Sequence, residues 1–115
     1  MKHEYLRTKA VTKETVPLST EEVEKNLACV PKWSLANRTI GREFRFKDFR
    51  QAMGFVNRVA GIATIQDHHP DLFISYNKVQ VTLSTHKAGG LTSNDFIVAA
   101  KIDLLVKQQD SERAA

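Results

Sequence analysis

Apolar residues along this chain change their spacing repeatedly, and each change marks an element. Val23, Leu27 and Val30 recur at helical spacing just after Ser19-Thr20-Glu21-Glu22, where a hydroxyl and a Glu three residues on form a capping-box pattern. A short first helix, ended by Pro31, is therefore predicted. From Trp33 to Ala36 and from Thr39 to Phe46 the spacing is that of a hairpin turning at Asn37-Arg38, with Ile40, Phe44 and Phe46 on one side and Glu43, Arg45 and Lys47 on the other. Asp48-Phe49-Arg50-Gln51 opens a second helix with another capping box. Its predicted inner stripe is Phe49, Ala52, Met53, Val56, Val59, Ala60 and Ala63.

Alternation returns after Pro70. Leu72, Ile74 and Tyr76 alternate with Phe73 and Ser75; beyond a turn at Asn77-Lys78, Val79, Val81 and Leu83 alternate with Gln80, Thr82 and Ser84. Gly89 and Gly90 end the strand pattern, and Thr92 with Asp95 can cap a last helix running to about Gln108. The order α-β-β-α-β-β-α predicts an α+β, two-layer sandwich, a four-stranded antiparallel sheet with helices on one face. Residues 1–16 are polar and aperiodic and read as a mobile arm, residues 17–109 as the domain, and residues 110–115 as a frayed tail.

Composition narrows the class. A chain of 115 residues with 42% apolar content supports one modest core, and a core of this size often gains from a partner subunit, so self-association is expected. The single cysteine, Cys29, allows no internal disulfide. With no apolar signal core in "MKHEYLRTKAVTKETV" and no run long enough to span a bilayer, the expectation is a cytoplasmic protein that does not engage a membrane. The net charge of +4 comes from basic residues scattered among acids, which argues against a nucleic-acid stripe.

The chemistry concentrates in "DHHPD" and "STHKAGG". His68 and His69 fall just past the second helix, where Pro70 disfavours a helical conformation at His69, and His86 follows the last strand. Because antiparallel strands place the start of one beside the end of the other, positions near 70 and 84 become neighbours, and Asp95 can approach through the Gly89-Gly90 link. Imidazoles ordinarily titrate near neutrality and can act as general acids and bases. Two other readings stand beside this one: ordinary hydrogen-bonded surface histidines, and a zinc site of histidines and a carboxylate, against which adjacent side chains diverge in extended structure. A nucleophilic enzyme lacks support, since no G-x-S-x-G elbow exists and Cys29 lies in the first helix.

The run "DHHPDLFISYNKVQVTLSTHKAGGLTSNDFIVAAKID", with "FKDFRQAMGFVNRVA" and "LACVPKWSL" upstream, resembles the pterin-4a-carbinolamine dehydratase family. The resemblance implies the same fold, a homodimer or homotetramer, no metal and no cofactor. It further implies dehydration of a 4a-hydroxytetrahydropterin to quinonoid dihydropterin, which recycles the cofactor of aromatic amino-acid hydroxylases. Carried over by residue, His68 and His86 match the proton-transfer histidines, His69 a histidine lining the pterin pocket, and Asp95 the acidic residue of the site. Tyr76 matches the family's aromatic position, and pterin contacts map around Pro70, Thr85, Lys87 and Ala88. Two positions depart from the pattern: Thr64 stands where many members carry Glu, and Asn94 where the animal enzymes have Arg. An alternative within the resemblance is a dehydratase-like assembly factor whose client is RuBisCO.

Overall fold

The computed structural model describes Leu6, residues 9–13 and residues 16–114, with side chains of the last helix through Lys107. The elements are α1 (Thr20–Leu27), β1 (Ser34–Ala36), β2 (Thr39–Arg45), α2 (Phe49–Gln66), β3 (Asp71–Ser75), β4 (Lys78–Leu83) and α3 (Ser93–Ala114), with a 3-10 turn, His86–Ala88, ahead of α3. All strand pairs are antiparallel, in the order β1-β2-β4-β3. The α+β order expected from the spacing is the order found.

Register decides the core. Ile40 faces Leu83 and Phe44 faces Val79, so the alternating residues of β2 and β4 project to one side, where Ile40, Val79, Val81 and Leu83 are wholly buried. Phe55 reaches across from α2 to lie against Phe44 and Phe46, with ring centroids 4.6 and 5.0 Å apart. The first turns of α3 are buried all round, from Phe96 through Ala100, as befits a helix enclosed by the sheet and its neighbours.

Arg42 pairs with Val81 in register and so belongs to the core face, where strand alternation alone would put an apolar residue. Asp103 of α3 explains it: one carboxylate oxygen accepts from Arg42 Nη1 at 2.6 Å and from Trp33 Nε1 at 2.8 Å. The guanidinium also sits 4.3 Å from the centroid of the Phe44 ring. This polar knot ties β1's approach, β2 and α3 together.

Several boundaries differ from the sequence expectation. The first capping box forms as expected, Ser19 Oγ accepting from Glu22 N–H while Glu22 accepts from Ser19 N–H. That helix ends at Leu27, however, because Pro31 disfavours a helical Val30 and three-residue turns take over. Asp48 caps α2 through Gln51 N–H, while Gln51 Oε1 accepts from Lys47 N–H. The buried stripe of α2 is Ala52, Phe55, Val56, Val59 and Ala63; Phe49, in the first turn, is half exposed. The second hairpin turns at Tyr76-Asn77, one residue earlier than expected, since Ser75 pairs with Lys78 and Asn77 is held by hydrogen bonds with Phe46. With no Gly or Pro to stop it, α3 runs through the residues read as a tail.

The described part of the N-terminal arm lies on the domain. Leu6 is 4% exposed within the core cluster and Val11 packs against that cluster, a contact that their isolated spacing gave no means of reading. Residues 1–5, 7, 8, 14 and 15 of the expected arm, and Ala115, lie outside the described residues.

Candidate functional site

The histidines converge because of two chain reversals. At the first, Asp67 ends α2 in the left-handed conformation (φ 52°, ψ 44°), which a short polar side chain tolerates, and Ala63 O accepts from both Asp67 N–H and His68 N–H. His68 is thereby turned toward the start of α3, and Pro70 keeps His69 extended into β3. At the second, Thr85 N–H donates to Gly90 O, closing a tight loop around the 3-10 turn that carries His86. Gly89 sits in that loop at φ 74°, where a side chain would be strained. Since Asp71 pairs with Thr82, the residues just before β3 and just after β4 meet at one end of the sheet, as the antiparallel argument required.

Between these reversals lies a cleft of about 480 Å³, lined by His68, His69 and His86 together with Thr85, Lys87 and Asn94. Ser84, Asp67, Thr12 and Lys13 complete its wall. His69 and His86 are exposed, whereas the His68 side chain keeps 13% of its surface.

Behind His68 stands Asp95, wholly buried. Its Oδ1 lies 2.7 Å from His68 Nε2; its Oδ2 accepts from Thr85 Oγ1 at 2.8 Å and from Thr92 N–H at 3.0 Å. A carboxylate only accepts, and with Oδ2 taking two donors, the ionised form accounts for all three contacts. With Asp95 ionised, the proton of this contact is assigned to His68 Nε2, which leaves Nδ1 as the ring nitrogen able to exchange a proton elsewhere. The hydroxyls continue the pattern: with Thr85 donating to Asp95, Thr92 Oγ1 donates to Thr85 and accepts from Asn94 N–H at 3.3 Å. Asp95 thus acts on the cleft through His68.

Of the other expected site residues, Pro70 and Ala88 occupy the two reversals themselves. Tyr76 does not join them. It lies at the hairpin turn at the opposite end of β3 and β4, 65% exposed, a strand's length of roughly 15 Å from the cleft. Thr64 is spent on its own helix, its hydroxyl donating to Ala60 O. Sequence reading missed Asp67, Ser84, Thr12 and Lys13; the first two adjoin the histidine motifs, whereas the last two carry no periodic signal at all. Among the described residues no group of three or more His, Cys, Asp or Glu is arranged to hold a metal, and no helix is long and apolar enough to cross a membrane.

The cleft thus brings together a buried carboxylate held against one imidazole and two further imidazoles. The family profile described as pterin 4 alpha carbinolamine dehydratase matches residues 16–105. The chain belongs to that family. It is 51% identical over 89 residues to a Nitrosospira multiformis protein named "Putative pterin-4-alpha-carbinolamine dehydratase", covering 77% of this chain and 79% of that one. A Picosynechococcus protein of the same name is 48% identical over 88 residues, 76% of this chain and 96% of the other. Among solved structures, a "transcriptional coactivator/pterin dehydratase" from Brucella melitensis superposes with a TM-score of 0.74 at 37% identity, covering 77% of this chain and 97% of that one.

Proposed function

We propose that the protein dehydrates a 4a-hydroxytetrahydropterin to a quinonoid dihydropterin and water by histidine acid–base catalysis. The C4a–O bond breaks as one imidazole protonates the departing hydroxyl; the N5–H proton passes to a second imidazole and its electron pair forms the C4a=N5 bond. Each such transfer typically contributes about 10²–10⁴-fold. The observation that carries this reading is the His68–Asp95 pair at 2.7 Å, set in the wall of the cleft that His86 also lines. His68 Nδ1 and His86 are the two exchange sites. His69, Thr85 and Lys87 line the pterin pocket, with Asp95 in support, and no metal takes part.

The test generates the carbinolamine with an aromatic amino-acid hydroxylase and follows its decay in stopped flow. Acceleration in proportion to added protein is expected; decay that stays at its spontaneous rate overturns the reading. Self-association is part of the proposal, supported by the edge position of β3 among the described strands and the 69% exposed Phe73 on it. Light scattering should return a dimer or tetramer, and a mass near 13.0 kDa at micromolar concentration would contradict it.

A further inference from the structure

One wall of the cleft comes from outside the family's matched region, which begins at residue 16: Thr12 and Lys13 line the space shared by His68, His69 and His86. They are held there by a two-point contact. Asn94, 4% exposed, accepts from Thr12 N–H at 3.1 Å through Oδ1, while its Nδ2 donates to Thr12 O. One side-chain amide satisfying both backbone groups of a single residue fixes that residue's register, as a bridge partner in a sheet would. A residue further back, Val11 N–H donates to Gln66 Oε1 at 3.2 Å, from the last position of α2, and the Val11 side chain rests on the core.

We propose that Thr12 and Lys13 are a substrate-contacting wall of the pterin cleft and that Asn94 is the positioning residue that clasps them there. The inference rests on the pterin reading above. Asn94 and Asp95 are consecutive in the first turn of α3 yet hold different partners: Asp95 bonds His68, while Asn94 holds the backbone of Thr12. Losing the clasp removes contacts made equally to bound substrate and to transition state, so it raises KM and leaves kcat near the parent value.

Two variants test this. Asn94→Ala removes the clasp from the helix side. Thr12→Pro removes the clasped N–H from the arm side, at an exposed position where folding is spared. Each should raise KM for the carbinolamine, and Kd for a non-reactive 7,8-dihydropterin, by about tenfold with kcat changed by less than about twofold. Trypsin adds a readout independent of turnover: cleavage after Lys13 should be slow in the parent and slower still with the dihydropterin bound. In both variants it should be fast and unaffected by ligand. Parent-like KM, Kd and cleavage in Thr12→Pro would overturn the clasp while leaving the dehydratase reading intact. A fall in kcat at constant KM would overturn it too, by routing Asn94's effect through Asp95. A parent that neither binds nor converts the pterin sinks the dehydratase reading, and the assigned role of the wall with it.

Discussion

Asp95→Asn tests the proposed chemistry with almost no change in shape. The new amide must keep an oxygen where Oδ2 was, because Thr92 N–H and Thr85 Oγ1, both in buried residues, donate there. Its NH2 group is then forced to face His68 Nε2, which can no longer donate and must accept. The His68 proton moves to Nδ1, and the nitrogen assigned to proton exchange changes from acceptor to donor. For stability the perturbation is modest: two of three contacts survive, and a charge-assisted bond becomes a neutral one, a loss of about 1–2 kcal/mol. For turnover it is severe, up to the full contribution of one proton-transfer group, about 10²–10⁴-fold. Stopped-flow decay of the carbinolamine measures the rate and urea denaturation the stability, while 15N spectra of the imidazole report which nitrogen is protonated. If Asp95→Asn kept the parent kcat with its His68 proton moved to Nδ1, the assigned exchange role of that nitrogen would be refuted.

Further outcomes follow from other contacts. His86→Ala should lose about 10²–10⁴-fold in turnover with an unchanged melting temperature because His86 is exposed; His68→Ala should lose both, since it strands the buried Asp95, and equal melting temperatures for the two variants would contradict this. Asp103→Ala leaves Arg42, whose side chain is 15% exposed, without its carboxylate and Trp33 Nε1 without its acceptor; a destabilisation of about 3–5 kcal/mol in urea is expected, with kcat unaffected. Glu22 is held below its ordinary carboxylate value, chiefly by the Ser19 backbone hydrogen bond and then by the Ser19 hydroxyl. Its support of α1 is therefore complete above the ordinary value and lost as the pH falls through the lowered one, which an acid titration of the Ser19 amide shift by NMR should follow. Thr64→Glu should leave turnover unchanged or raise it, since the present hydroxyl is engaged with Ala60 O of its own helix; a loss of rate would count against a carboxylate having any useful place there.

Local rules made much of the fold legible. Capping residues Ser19, Asp48 and Thr92 announced the helices they start, and two-residue alternation placed Val79, Val81 and Leu83 in the core. What escaped was set by tertiary partners. Arg42 breaks the apolar face of β2 because Asp103, far along the chain, is waiting for it. Phe55 was passed over in favour of Phe49 because the two fall at the same helical spacing from their neighbours, and only the aromatic rings of β2 and its end decide which is covered.

The candidate site divides along the same line, and Asn94 and Asp95 show why. In sequence both are short polar residues in the first turn of a helix, where either serves the exposed amides. Asp95 could still be singled out, because the second hairpin's register brings its helix start beside the two histidine segments and an acid near an imidazole has an evident use. Asn94 gave no such signal: its partner is the backbone of Thr12, and a backbone contact leaves no mark on residue type. A helix turn of 3.6 residues rotates consecutive side chains by about 100°, so two neighbours necessarily address different surroundings. Here one addresses His68 and the other the backbone of Thr12. The histidines and Asp95 were readable because proton chemistry calls for particular residue types, and the wall at Thr12 and Lys13 was not, because a wall can be built from any residue whose backbone is held in place.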